Sequence, residues 1–265
     1  MSLHVDTIGS GSPLVLIHGW GMHGGVWSDV AQRLSTDFSV HSVDLPGFGA
    51  SAALPKTDLD SLVQSLSERF VEPVNVCGWS LGGQVAMHWA AREPAKVSKL
   101  IVVTSTPCFT ERDDWLFGLP ADVLQKFAAE LEQNHTTTLR RFISLQLRGS
   151  ENERELLTKL REQLLSHGEP DMNALRGGLE ILRDADQRRE VAGIEQQTLV
   201  IAGQRDKLTP PEASYYLAQV MPNSRVVEIE GAAHAPFLSH PELFVEYVKD
   251  FFHEKHERHE QDEIA

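Results

Sequence analysis

The sequence has few cysteines, no long apolar run and no excess of positive charge. Two cysteines, Cys77 and Cys108, occur in 265 residues. They are too few for a disulfide framework, so we expect a reducing, cytoplasmic compartment. Membrane-spanning helices need about 20 apolar residues, which no run approaches, and the N-terminus has no signal-peptide pattern. Lys and Arg number 24 against 38 Asp and Glu, and the net charge of −14 argues against general nucleic-acid binding.

Cofactor signatures are missing too. No phosphate-binding loop, dinucleotide fingerprint or strong metal-ligand spacing occurs, so we expect neither a cofactor nor a metal. The spaced histidines of the charged C-terminal tail, His253, His256 and His259, leave metal binding open as an alternative. A hydrophobic content of 41% suits a globular protein, which we expect to be a monomer.

Short apolar runs alternate with amphipathic segments along most of the chain. Runs typical of buried strands lie at residues 14–17, 39–43, 74–77, 100–103, 198–201 and 225–229. Helical patterns lie at residues 26–34, 59–70, 84–91, 211–220 and 241–253. This alternation predicts an α/β fold, with a mostly parallel sheet covered by helices on both faces. Ligands of such sheets bind beyond the carboxyl ends of the strands.

Residues 111–189 interrupt the alternation and are called the inserted segment below. They contain no convincing strand, only amphipathic helical patterns at 121–132, 137–147, 151–165 and 172–183. We predict a core made of residues 1–110 and 190–265, with the inserted segment as a helical lid over the active site. A structural helical layer without substrate contact is the alternative.

The most informative motif is Gly-Trp-Ser-Leu-Gly at residues 78–82. It follows an apolar strand and precedes a helical pattern, which is the setting of a nucleophile elbow. In such an elbow the serine occupies a strained, very tight turn, and flanking glycines leave room for it. We therefore predict that Ser80 is a catalytic nucleophile.

A serine hydroxyl is a weak nucleophile and needs a base, which in turn needs an orienting acid. His234 lies among small residues directly after the last strand and is the best candidate base. Asp206 follows the preceding strand and is the best candidate acid. The order Ser80, Asp206, His234 resembles that of the α/β-hydrolases.

Other residues compete for these roles on position. Asp44 also follows a strand, but it precedes the nucleophile and its Pro-Gly-x-Gly surroundings suggest a structural role. His18 ends another strand and suggests a loop-shaping role, and mid-helix His88 suggests a packing or surface role. Asp44 remains the alternative acid.

An oxyanion forms when the serine attacks a carbonyl, and it needs preorganised donors. The backbone N–H of Leu81, directly after the nucleophile, is one expected donor. Trp20, in His-Gly-Trp-Gly at residues 18–21, is expected to supply the second N–H and to line the acyl pocket with its indole. The alternative is that Trp20 is only a core residue.

Several motifs together resemble one family, the pimeloyl-[acyl-carrier protein] methyl ester esterases of biotin synthesis, within the α/β-hydrolase fold. The shared motifs lie at residues 18–21, 44–49, 78–83, 106–109, 177–182 and 233–237. The resemblance implies hydrolysis of the terminal methyl ester of pimeloyl carried on acyl-carrier protein. It also implies that Phe142, Ile143, Ser144, Leu145 and Gln146 line the acyl channel, which ends at Ser80, Leu81, Trp20 and His234. An amphipathic helix packed on the core is the alternative for residues 142–146.

An acidic enzyme needs a local basic patch to bind an acidic carrier protein. Residues 139–161 hold six Lys and Arg against three Glu, a local charge of +3 in an acidic chain. The resemblance implies docking through Arg141 and Arg154, and we add Arg161 as a candidate. Thr137 and Thr158 stand where further basic residues were expected. A solvated helix face is the alternative.

Two other functions remain open from the sequence. A short-chain esterase or a carbon–carbon bond hydrolase of the same fold would carry the same three catalytic residues. A non-catalytic, ligand-binding member would use only the pocket.

Overall fold

A computed structural model describes residues 3–150, 152–166 and 169–254 of the chain. Seven strands form one sheet in the order β1-β3-β2-β4-β5-β6-β7. The strands are β1 (Val5–Ile8), β2 (Ser12–Ile17), β3 (Phe38–Val43), β4 (Val74–Trp79), β5 (Val97–Val103), β6 (Gln197–Gly203) and β7 (Ser224–Ile229). All neighbours pair in parallel except β1, which is antiparallel to β3. The predicted mostly parallel sheet is confirmed.

Strand β1 was not predicted, because most of it is exposed at the edge of the sheet. Its four residues, Val-Asp-Thr-Ile, form no continuous apolar run. The central strand β4 is buried along its whole length, as expected for a strand covered on both faces. Burial on both faces makes a strand visible in the sequence, and β1 lacks it.

The helices lie between the strands and in the inserted segment. Those of the core are α1 (Ser28–Leu34), α2 (Leu59–Arg69), α3 (Leu81–Arg92), α9 (Pro211–Val220), α10 (Pro236–Ser239) and α11 (Pro241–His253). The short helix α8 (Arg188–Val191) crosses the boundary between the inserted segment and the core. Helices α9 and α11 have the predicted bounds. Within the described residues, no helix is both long and apolar enough to cross a membrane.

The inserted segment lies between β5 and β6 and contributes α4 (Ala121–Gln133), α5 (His135–Leu147), α6 (Glu153–Ser166) and α7 (Met172–Asp184). Helix α7 lies very close to the core. A Cβ added to Gly178 would lie 2.6 Å from Cδ1 of Trp20, and the indole of Trp20 donates to the Leu175 carbonyl over 2.9 Å. The glycine at 178 therefore allows a helix of the inserted segment to pack directly on the Trp20 loop.

Residues 255–265, which include His256 and His259, lie outside the described residues. Helix α11 ends at His253. The metal-binding alternative for the charged tail therefore remains a prediction.

Candidate active site

Ser80 occupies a strained turn between β4 and α3, with φ 56° and ψ −120°. This is the left-handed region, which is costly for a non-glycine residue and is often found at functional sites. The turn leaves no space for neighbouring side chains: a Cβ on Gly78 would lie 2.2 Å from the Gly82 carbonyl oxygen, and one on Gly82 would lie 2.4 Å from that of Ile17. The two glycines of the motif are thus required sterically.

The structure brings Ser80, His234 and Asp206 into one hydrogen-bonded chain. Nε2 of His234 lies 2.9 Å from Oγ of Ser80, and Nδ1 lies 2.8 Å from Oδ2 of Asp206. The side chains of His234 and Asp206 are 1% and 0% exposed. Each residue follows a different parallel strand, so the sheet itself aligns the three groups at the carboxyl ends of its strands.

Backbone contacts of His234 come from three separate parts of the fold. Its carbonyl accepts hydrogen bonds from Nε1 of Trp79 and Oγ1 of Thr104, each over 2.7 Å. Its N–H donates to the Gln146 carbonyl of α5 over 3.1 Å. The loop of the histidine is therefore held at the end of β4, directly after β5 and by the inserted segment, and sequence analysis did not predict these contacts.

Thr209 is a second residue that sequence analysis missed, because its position before two prolines indicated only a helix start. Its hydroxyl donates to Oδ2 of Asp206 over 2.7 Å, the oxygen that also faces His234. Oδ1 of Asp206 accepts the backbone N–H groups of Leu208 and Thr209 at 2.8 and 3.1 Å. Both carboxylate oxygens are thus fixed by the loop that carries them.

The competing acid, Asp44, has structural partners instead. Its two oxygens accept the backbone N–H groups of Gly24 and Ala50 at 2.7 and 2.8 Å, and Oδ2 lies 3.0 Å from the imidazole of His4. Burial alone would raise the pKa of Asp44, but the bonds from Ala50 and Gly24 together with the nearby His18 and His23 outweigh it, and the pKa lies below its usual range.

His18 and His88 lie apart from the chain of catalytic candidates. His18 is fully buried, and its Nε2 accepts the Leu45 N–H over 3.0 Å, which joins two loops of the site. Burial lowers the pKa of His18 to about 4. His88 packs between α2 and α8, where its ring nitrogens lie 2.8 Å from Asp60 and 3.4 Å from Glu190.

Candidate oxyanion donors lie on both sides of Ser80. Leu81 is the first residue of α3, where backbone N–H groups have no partner within the helix and carry partial positive charge. The loop with Trp20 also approaches the serine, since a Cβ on Gly19 would lie 3.2 Å from Cβ of Ser80. The Trp20 indole is 1% exposed and packs edge-on against Phe142, with ring centroids 5.0 Å apart. This burial is compatible with an indole that lines the acyl pocket and with the alternative that Trp20 is only a core residue.

The five residues predicted to line an acyl channel divide into three groups. Phe142 and Leu145 line a cleft of about 680 Å³ between α4, α5, α7 and the loop after β6. Ile143 and Gln146 are buried, and no hydrogen-bond partner of the Gln146 Oε1 is found among the described residues. Ser144 is half-buried and accepts a hydrogen bond from Arg161 over 3.3 Å.

All three predicted docking arginines are exposed on the inserted segment. Arg141 forms an ion pair with Glu130 at 2.8 Å, whereas Arg161 contacts only Ser144 among the bonds found in the described part of the chain. Arg154 lies on the next helix, α6. Across the ranges described, no group of three or more His, Cys, Asp or Glu is placed to hold a metal ion.

Comparison with known proteins identifies the family. Residues 12–241 match the family model of the alpha/beta hydrolase fold. The chain is 43% identical to a pimeloyl-[acyl-carrier protein] methyl ester esterase of Nitrosomonas europaea, over 92% of this chain and 97% of that protein. It is 42% identical to the enzyme of the same name from Chromobacterium violaceum, over 92% and 96%. The chain belongs to this esterase family. It is therefore a hydrolase.

Solved structures agree on the fold. An esterase from Exiguobacterium antarcticum superposes with a TM-score of 0.84 at 25% identity, over 94% of each chain. A bromoperoxidase from Bacillus anthracis superposes with a TM-score of 0.86 at 20% identity, over 95% of each chain. The second likeness concerns the fold alone.

Proposed function

We propose that this protein is a serine carboxylesterase that hydrolyses the methyl ester of pimeloyl-[acyl-carrier protein] in biotin biosynthesis. The hydrogen-bonded chain Ser80–His234–Asp206 is the observation that carries the chemistry. The substrate is supported by the relatives of that name, which match nearly the whole chain.

In the first half of the reaction, Oγ of Ser80 attacks the ester carbonyl while Nε2 of His234 takes its proton. Asp206 orients the imidazole and stabilises the imidazolium that forms. The backbone N–H groups of Leu81 and Trp20 would stabilise the oxyanion. The tetrahedral intermediate then expels methoxide, which receives the proton from His234. Methanol departs, and the acyl chain remains bound to Ser80 as an acyl-enzyme.

Water completes the cycle by the same route. His234 removes a proton from water, and the resulting hydroxide attacks the acyl carbonyl. Ser80 leaves as the second tetrahedral intermediate collapses and recovers its proton from His234. The products are methanol, unchanged enzyme and the free carboxylic acid on the carrier, which ionises to the carboxylate by releasing a proton to solvent.

The inserted segment is proposed to act as the lid that admits the acyl chain. Helix α7 packs on Trp20, and α5 contacts the His234 loop through Gln146. Residues 142–146 would line the acyl channel, and Arg141, Arg154 and Arg161 would face the acidic carrier. We expect the enzyme to act as a cytoplasmic monomer.

Complementation tests this function most directly. A biotin auxotroph that lacks its pimeloyl ester hydrolase should grow when it carries this gene and should not grow with the Ser80→Ala variant. Hydrolysis of p-nitrophenyl butyrate without complementation would favour a different esterase of the same fold. Complementation by Ser80→Ala would contradict the serine mechanism.

A further inference from the structure

The cleft between the inserted segment and the core has an apolar interior and a cationic rim. Its walls include Val123, Phe127, Leu145 and Leu182. Its charged lining residues are Arg141, Arg148, Arg205 and Lys207, and no Asp or Glu of the described residues lines it. This is unusual in a chain with a net charge of −14.

Three of these four cations are available to a ligand. Arg141 is neutralised by Glu130 at 2.8 Å. Arg148, Arg205 and Lys207 are exposed, and no carboxylate of the described residues lies within ion-pair distance of any of them. They lie on both sides of the cleft, Arg148 at the end of α5 and the other two in the loop after β6.

The two sides are connected at this rim. The guanidinium of Arg205 donates to the carbonyl of Gly149 over 3.1 Å, which joins the core loop to the residue after Arg148. Apolar walls strengthen the field of like charges at the mouth of a cleft, because the low-dielectric interior screens them poorly. The rim therefore suits an anion that remains in solvent while an apolar chain occupies the interior.

We propose that Arg148, Arg205 and Lys207 bind the phosphodiester of the prosthetic arm that carries the acyl chain. This inference rests on the proposed function. A methyl-esterified acyl chain is uncharged, and so are the thioester and amide groups of a pantetheine arm. The phosphate is the only anionic group of that arm, and the uncharged pantetheine links it to the acyl chain, so the phosphate can remain at the solvent-exposed rim.

The test uses two small substrates that differ only in the phosphate, the methyl pimeloyl thioesters of phosphopantetheine and of pantetheine. Methanol release gives KM for each. For the wild type we expect KM about tenfold lower for the phosphorylated thioester, since charge-assisted contacts at an exposed site are each worth a few-fold in affinity. In Arg148→Gln combined with Lys207→Gln, the KM ratio should fall to about twofold or less.

A matched control removes two exposed cations outside the cleft, by Arg92→Gln combined with Lys126→Gln, and should retain the wild-type ratio. The ratio cancels any general effect of a substitution near Asp206, because both thioesters undergo the same chemistry. A wild type without preference, or a preference that survives the rim variant, would overturn the phosphate site. A loss seen only with the intact carrier protein would assign the rim to carrier carboxylates and also overturn it. Failure to hydrolyse the methyl ester of either substrate would instead contradict the proposed function, and this inference with it.

Discussion

The catalytic candidates and the inserted segment use polar groups in opposite ways. Asp206 and His234 are 0% and 1% exposed, and their hydrogen bonds lie within the protein. Arg141 on the inserted segment is 64% exposed, and its partner Glu130 is 48% exposed. Buried hydrogen bonds specify one geometry, whereas exposed charges are screened by salt and contribute little to stability. The catalytic candidates thus lie buried at the carboxyl end of the sheet, and the predicted docking arginine Arg141 is exposed on the inserted segment.

The largest expected effect belongs to the buried side of this comparison. Ser80→Ala should lower kcat for p-nitrophenyl butyrate and for the carrier-bound methyl ester by about 10⁵-fold, because no other group can form the acyl-enzyme. Ser105→Ala, which alters a hydroxyl that donates to the Ser80 carbonyl, is the control and should retain far more activity. A loss of less than about tenfold in Ser80→Ala would place the nucleophile elsewhere.

Buried His18 should make the core sensitive to acid. Burial lowers its pKa to about 4 in the folded state, so its stabilising contribution is present above pH about 6.5 and is lost as the pH falls towards 4. This amounts to about 3 kcal/mol. Urea unfolding at both pH values should show a smaller decline for His18→Asn than for the wild type, with exposed His253→Asn as the control. Parallel declines in wild type and His18→Asn would contradict the assignment.

A substitution at Gly178 tests whether the packing of the inserted segment affects catalysis. Gly178→Ala places a Cβ against the indole of Trp20 and should lower the free energy of unfolding by about 2 kcal/mol. Displacement of the Trp20 loop should also reduce kcat about tenfold. Gly193→Ala has ordinary contact distances and is the control. Unchanged kcat in Gly178→Ala would mean that Trp20 does not couple α7 to the oxyanion site.

Thr209 is expected to position Asp206. Thr209→Val should reduce kcat about fivefold by removing one hydrogen bond to a buried carboxylate. Thr209→Ser retains the hydroxyl and should restore kcat. If the serine variant behaves like the valine variant, the methyl group matters and the hydroxyl does not.

A similarly small effect is expected from the exposed arginines of the inserted segment. Arg141→Glu combined with Arg154→Glu should raise KM for the carrier-bound substrate about fivefold relative to a small methyl ester, because it reverses charge where an acidic partner would dock. The difference should shrink at high salt. Arg92→Glu is the charge control. An equal rise for both substrates would contradict carrier docking at these residues.

Strands buried on both faces and helices with a strong apolar periodicity could be predicted from the sequence, whereas exposed or irregular elements could not. The bounds of α9 and α11 were predicted correctly, since each begins at a proline and has a clear apolar face. Edge strand β1 was missed because it contains no continuous apolar run. The carbonyl of Gln146 was missed because its partner, the N–H of His234, is distant in the chain, and no local pattern encodes such a contact. Thr209 lies only three residues after Asp206, and it was missed because its position before two prolines indicated only a helix start.

By itself, the sequence determined the fold class, the elbow at Ser80 and the identity of the candidate base and acid. It could do so because the elbow, the acid and the base each follow an apolar run that marks a strand, in motifs whose steric demands are local. Only the tertiary structure decided that the Gln146 carbonyl holds the His234 loop, that Thr209 holds Asp206, and that Arg148, Arg205 and Lys207 share the rim of one cleft. The Gln146 contact and the shared rim join residues from separate elements, which the packing of the inserted segment on the core brings together. The contact between Thr209 and Asp206 is set instead by the fold of a single loop.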